Sequence, residues 1–473
     1  MSTETTATNG KHYASLFEMD GVPRLGEALP LALQHVVAMI VGCVTPAIII
    51  AGVAKLNPAD KIILIQASLV VAALSTFLQL YPIGNRHGFH LGAGLPVILG
   101  VSFAYVPSMV AITEQFSIGA VLGAQIIGGF CAIAVGLTIR SIRKYFPPLI
   151  AGTVVFTIGL SLYPVAINYM AGGVGSKTYG SWQNWALALL TLAVVTALSH
   201  YGKGLWKLAS ILIGMAVGYV VALACGMVSF TNVTNAGYFQ LPEIMHFGLE
   251  FPPSACVALG VLFVVNSIQA IGDFSATTAG GLDRTPTTDE LHGAILGYGV
   301  SNIIGAFLGC LPTATYSQNV GIVATTKVVN RLTLGLAGII ILIAGLLPKF
   351  SALLTTIPYA VLGGATVSVF ASIAMTGIKL VMTEDMNFRN TSVVGLAVAL
   401  GMGICSAPAT LSAFPGWVTT VFGKSPVVIS TIFAIFLNQI LPRPKFNPAA
   451  EGVKVLQDES TADNPAQPEV VQK

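Results

Sequence analysis

The sequence predicts an all-α polytopic membrane protein with fourteen transmembrane segments in two halves of seven. Three observations predict this. Hydrophobic residues make up 54% of 473 positions and charged residues only 9%, whereas soluble domains carry about 25% charge. Apolar runs long enough to cross the roughly 30 Å hydrocarbon layer recur along most of the chain. The pattern also repeats: Pro147-Pro148-Leu149-Ile150-Ala151-Gly152 is matched by Pro358-Tyr359-Ala360-Val361-Leu362-Gly363, and Leu95-Pro96 by Leu311-Pro312. Seven segments per half is an odd number, so the two halves must have opposite orientation. That makes an inverted repeat.

Taken in order, residues 1–24 read as a disordered polar tail, and no apolar core of a signal peptide lies within the first 20. The spans are expected at 29–54, 60–81, 91–112, 117–138, 147–168, 183–199, 207–228, 253–273, 291–309, 313–327, 332–347, 355–377, 391–407 and 418–441. The expected units are a cytoplasmic tail (1–28), a first repeat (29–228), a second repeat (253–442) and a polar, disordered, cytoplasmic tail (443–473). With the N-terminus inside, fourteen spans put 17 of the 22 Lys and Arg residues on the cytoplasmic side. The positive-inside rule therefore supports an even count with both termini cytoplasmic.

Two segments, 91–112 and 313–327, are broken by Gly, Pro and polar residues. The second carries Tyr316, Ser317, Gln318 and Asn319 in a row at membrane depth. Uncompensated polar groups in hydrocarbon cost several kcal/mol each, so the stretch must be buried in protein and line a cavity. Pro312 and Gly321 bracket the cluster, which suggests an extended piece leading into a short helix that starts near Gln318. Such a half-helix aims free N–H groups and its positive dipole end at the cavity. A pair of broken segments at matching places in two halves marks the binding site of a transporter.

Gln318-Asn319-Val320-Gly321, followed after four residues by Thr326 and Lys327, resembles the signature of the nucleobase–ascorbate transporters. The apolar pattern resembles that family over roughly residues 25 to 442. The resemblance implies short strands in segments 3 and 10. It also implies a core of segments 1–4 and 8–11, a gate of segments 5–7 and 12–14, and a homodimer. Its motif implies that Gln318, Asn319 and Ser317 contact substrate, and that Gly321, Thr326 and Lys327 set selectivity or gating.

Asn266, Gln269 and Asp273 fall in the eighth span, and residues four apart share a helix face. A carboxylate within a membrane is expensive and functional by default, so Asp273 is the candidate for proton binding and release. The other reading places it, solvated, at the helix end. Most family members carry Glu at the position of Gln269. Gln keeps one acceptor, adds a donor and does not titrate. Ser102, Phe103 and Ala104 lie in the third segment, where an aromatic ring can stack on a flat heterocycle or simply pack. The resemblance favours substrate contact there. His35 reads as a helix-packing or supporting histidine beside the site.

The resemblance, with these residues, implies proton-coupled uptake of a purine base, xanthine or uric acid, across the inner membrane by alternating access, with the base, the proton and the bilayer as partners. A uracil permease or an anion transporter of the same architecture is the alternative. No enzyme chemistry, cofactor, metal or nucleic-acid partner is expected. The six cysteines are scattered singly, the net charge is only +3, and no phosphate loop or nucleophile motif occurs.

Overall fold

The computed structural model describes residues 15–84, 90–138, 147–415, 418, 419, 423 and 425–442. The expectations for residues 1–14 and 443–473, and the cytoplasmic charges Arg86, Arg140, Arg143 and Lys144, lie outside the described residues.

The helices, in order, are α1 Leu25–Val53, α2 Pro58–Leu80, α3 Val106–Gln115, α4 Ile118–Leu137, α5 Pro148–Met170, α6 Trp182–Tyr201, α7 Leu205–Leu208, α8 Ser210–Ala224 and α9 Thr231–Asn235. There follow α10 Pro253–Leu282, α11 Thr288–Phe307, α12 Ser317–Thr326, α13 Arg331–Leu346, α14 Pro348–Thr355, α15 Tyr359–Val381, α16 Phe388–Ser406 and α17 Pro426–Ile440. Four short strands accompany them: β1 Ile83–Gly84, β2 His90–Leu91, β3 Leu99–Val101 and β4 Thr313–Thr315.

Among the described residues eight helices are long and apolar enough to cross a membrane, or nine if α13 and α14, bent by 81°, count as one span. Most of the remaining expected segments are short or interrupted, as α8, α17 and the two broken segments are; α11 is long enough at 20 residues but less apolar than the eight. Helix ends follow local chemistry. Asn57 caps α2 by accepting from Asp60 N, and Thr287 and Glu290 form a capping box on α11.

The tightest helix packing falls into two groups. One joins α1, α2, α4, α10, α11 and α13 around β3 and β4; the other joins α5, α6, α8, α15, α16 and α17. Within the second, α5 and α15 touch backbone to backbone. A Cβ on Gly159 would lie 2.5 Å from Ala374 N, and one on Gly377 2.2 Å from Phe156 N. Without a strong hydrophobic drive in lipid, small residues provide the packing that holds such helices together.

β3 and β4 pair antiparallel, Leu99 with Thr315, Gly100 with Ala314 and Val101 with Thr313. A two-stranded ladder at membrane depth leaves two outer edges to be satisfied. Thr76 closes one, accepting from Leu99 N at 3.1 Å and donating to Leu99 O at 3.3 Å. Asn302 closes the other, accepting from Thr313 N at 2.8 Å. Tyr316 lies across the ladder and donates to Val101 O at 2.7 Å. Gly100 makes room for that ring, since a Cβ there would sit 2.5 Å from it.

Three sequence expectations are corrected. The disordered tail does not extend to residue 24: Ser15–Phe17 form a 3₁₀ turn, with Ser15 and Leu16 buried. Polar partners supplied from beyond residue 328 order it. The eighth span does not end at 273 but runs to Leu282. Ser275, Thr277 and Thr278 satisfy their hydroxyls on carbonyls four residues back, and the buried packing of Phe274, Thr277 and Thr278 retains the helix. The twelfth span starts at Tyr359, not 355, because residues up to Thr355 belong to the bent helix α14.

The linker before α10 lies across the first group. Met245 N bonds Phe307 O and Glu250 N bonds Gly119 O. His246 bridges two carboxylates, Nε2 to Asp60 Oδ1 at 2.9 Å and Nδ1 to Glu243 Oε2 at 2.6 Å. The hydrogen bond to Asp60 chiefly raises the pKa of His246 above its ordinary value, burial opposes the rise, and Glu243 adds to it. A raised folded-state value stabilises the fold fully below the unfolded value, about 6.5, and the gain fades as pH rises through the folded value. His246→Gln should therefore lower the melting temperature at pH 6, on the order of 1–2 °C for so exposed a pair, with little effect at pH 9. Equal losses at both pH values would show that the imidazolium contributes nothing.

Candidate functional site

The site grows from the two broken segments. β3 leads through the turn Phe103–Tyr105 into α3, and β4 leads directly into α12. Helices of about ten residues beginning at membrane depth leave their first N–H groups unpaired inside the protein. At one of these starts Ser102 Oγ accepts from Ala104 N at 3.2 Å, so this hydroxyl caps the turn. At the other no side chain caps α12. Its first two residues, Ser317 and Gln318, are exposed.

Asp273 stands beside that uncapped start. It is 9% exposed. Thr315 Oγ1 donates to Oδ2, and Ser317 Oγ donates to Oδ1 at 2.8 Å. Among the described residues no Lys or Arg forms an ion pair with it. The alternative of a solvated carboxylate at a helix end is thereby overturned. The group lies nine residues before the end of α10, held by two hydroxyls and no counter-charge. An unpaired buried charge is strongly disfavoured, so this arrangement suits a carboxyl that takes up and gives back a proton.

Gln269 and Ala276 lie one turn to either side of Asp273 on the same face. Gln269 is half-buried, and Gly272 and Ala276 are exposed. On α12 the exposed positions are Ser317, Gln318, Gly321 and Thr325. Because Asp273 touches Ser317, these two faces adjoin. Their polar side chains cannot face hydrocarbon, so they line an opening. Gly321 meets nothing within 4 Å of a built Cβ, so packing does not explain its missing side chain.

Asn319 is turned away from this opening. It is 2% exposed, and its Nδ2 donates to His35 Nδ1 and to His35 O, both at 3.1 Å. The amide pair expected to act together is thus divided: Gln318 faces outward and Asn319 anchors α12 to α1. Helical geometry forces the split, since adjacent residues point about 100° apart. His35, 1% exposed, supports Asn319. Phe103, 6% exposed, packs edge-on against Phe370 of α15 with ring centroids 5.1 Å apart. Ala104 is 7% exposed.

Thr326 and Lys327 lie at the far end of α12, eight and nine residues past Gln318, about 12 Å along the axis. Thr326 Oγ1 bonds Ile322 O, and Lys327 pairs with Asp283 at 2.6 Å on the surface. The structure does not bring them to the opening. Sequence reasoning missed Thr315, Thr76 and Asn302, and named Tyr316 only as part of the polar cluster, without its role across the ladder. The run of hydroxyls from Thr313 to Ser317 was the available signal for the first. A mostly apolar cavity of about 310 Å³, lined by residues such as Val41, Met215 and Leu353 and by the hydroxyl-bearing Thr45 and Tyr219, includes none of these site residues in its lining.

A profile described as the permease family matches residues 26–410. The chain belongs to that family, the nucleobase–ascorbate transporters. Among its relatives, the xanthine permease XanQ of Escherichia coli is 30% identical over 444 residues, covering 90% of this chain and 94% of that one. The uric acid permease PucJ of Bacillus subtilis is 33% identical over 418 residues, covering 86% and 91%. In fold, this transporter chain resembles the transmembrane domain of a cyanobacterial bicarbonate transporter, BicA, with a TM-score of 0.56 at 14% identity, covering 86% of this chain and 97% of that one.

Proposed function

We propose that this chain takes up a purine base, xanthine or uric acid, across the inner membrane in symport with a proton. The observation that carries the reading is Asp273, buried without a counter-charge and hydrogen-bonded to Ser317 at the uncapped start of α12. Ionised, the carboxylate accepts from Ser317. Protonated, it donates to Ser317 Oγ, and the serine proton becomes free to bond a ligand acceptor. Proton binding thus prepares the site for a base carrying carbonyl groups, and release of one favours release of the other. Gln318 supplies both a donor and an acceptor toward the base, Gln269 supplies a second amide, and the free N–H groups of α12 bind its oxygens. The Phe103 ring stacks on the base once Phe370 moves away.

Alternating access follows if the helix group that carries the site moves against the group built on α5 and α15. The protein works as fourteen segments in two inverted halves, 29–228 and 253–442, with a tail at 443–473, and as a homodimer. Uptake of labelled xanthine by proteoliposomes under a proton gradient, with urate, uracil and guanine as competitors, tests the reading. No uptake, or uptake indifferent to an uncoupler, would end it. The fold likeness to a bicarbonate transporter favours a second reading, transport of a small anion. Inhibition by excess bicarbonate or sulfate, without inhibition by purines, would select that one.

Both termini lie in the cytoplasm. An impermeant thiol reagent applied to intact cells should therefore label a Lys177→Cys probe and leave a Met386→Cys probe untouched. Labelling of position 386 from outside would invert or break the fourteen-segment topology.

A further inference from the structure

We infer that the N-terminal arm, residues 15–21, is a working part of the transport core, and that Arg331, which it holds, is a positioning residue for the substrate site. The effect on substrate rests on the purine reading above; the mechanical coupling does not. The arm is bound by the start of α13. Asn330, fully buried, directs Nδ2 to the carbonyls of Ser15, Glu18 and Gly21 at 3.1, 3.1 and 2.6 Å. Its Oδ1 meanwhile caps α13 at Thr333 N, 3.0 Å away. Backbone bonds run from Val329 N to Leu16 O and from Arg331 N to Met19 O.

The Arg331 side chain then reaches the other broken segment. Nε and Nη2 both donate to Gly94 O, at 2.9 and 2.6 Å, and Nη1 pairs with Asp20 of the arm at 2.5 Å. Gly94 has φ +68°, and a Cβ there would lie 3.0 Å from Nη2, so the glycine admits the guanidinium. Five residues later the chain enters β3. One side chain therefore ties the arm, the exit of segment 10 and the entrance of segment 3.

The position of β3 on β4 sets the Phe103 turn relative to Ser317 and Gln318. A site that loses about an ångström of definition loses binding. Arginine suits the place because its rigid planar fork gives two N–H groups to the Gly94 carbonyl and a third to Asp20, a fixed geometry that a lysine ammonium on a flexible stem does not reproduce.

The test uses full-length protein in proteoliposomes. Arg331→Gln should raise the half-saturating purine concentration at least tenfold while the maximal rate stays within threefold. Arg331→Lys should recover the melting temperature through Asp20 but not the affinity. Unchanged half-saturation in Arg331→Gln, or recovery of both properties in Arg331→Lys, overturns the inference. If Arg331→Gln does not reach the membrane, Asp20→Arg replaces it, because Asp20 is 74% exposed. Repulsion of the guanidinium should then raise half-saturation, and no change overturns the inference. A ligand-free readout separates this from the purine reading. In a background lacking the native cysteines, a Ser102→Cys probe should react at least fivefold faster when Arg331→Gln is added. An unchanged rate overturns the coupling whatever the wild type transports, whereas wild type that takes up no purine fails only the purine reading.

Discussion

Asp273→Asn is expected to abolish accumulation of purine while leaving binding within about tenfold of wild type. Asparagine keeps the shape of the carboxyl, and the Thr315 and Ser317 hydroxyls can rotate to meet an amide as they meet a carboxylate. It cannot carry a proton. A membrane potential of 100 mV is worth about 2.3 kcal/mol per charge, close to fiftyfold in concentration. That factor is the expected loss, with the internal concentration falling to the external one. Exchange of labelled for unlabelled purine should persist, since it needs no net proton movement. Proteoliposomes with an imposed potential measure both quantities. Concentrative uptake by the mutant at the wild-type ratio would move proton coupling away from Asp273.

Gln318→Ala should weaken binding tenfold to a hundredfold. The amide makes no hydrogen bond among the described residues and stands exposed at the start of α12. Its donors and acceptor are therefore available to the base. Removing it leaves partner atoms of the ligand unpaired in a confined site, at about 1–3 kcal/mol, which is the stated range of affinity. The exposed side chain is not part of the packing, so the protein should reach the membrane in normal amounts. The concentration of purine that gives half-maximal uptake is the measured quantity. If it does not change, Gln318 is not in the site. Asn319→Ala should behave differently. Its partner is buried His35, so its loss should appear in stability as well as in binding.

Much of this was legible in the residues. Low charge and long apolar runs fixed a polytopic membrane protein, because hydrocarbon tolerates little else. Gln318 and Asp273 stood out because a polar or ionisable group at membrane depth has to be justified by partners or by function. The repeated Leu-Pro steps at 95–96 and 311–312 announced two broken segments, and β3 and β4 follow them. These are local signals, carried by residue type and short spacing.

Other features depended on groups that meet only in three dimensions. The sequence could not separate Gln318 from Asn319, since the rotation of α12 about its axis is set by His35, 284 residues earlier in the chain. It could not end α10 correctly, because glycines and hydroxyls lower helix propensity while tertiary packing retains the helix. It read residues 15–21 as part of a free tail, for a polar segment shows no apolar pattern to mark its docking. Asn330 and Arg331, more than 300 residues away, supply the hydrogen bonds that order it. The sequence by itself determined the solvent in which the chain must live and the few polar groups that need a reason to be there. The tertiary structure decided which of those groups face the opening and which hold it in place, because hydrogen-bond partners are chosen by proximity in space and not by order along the chain.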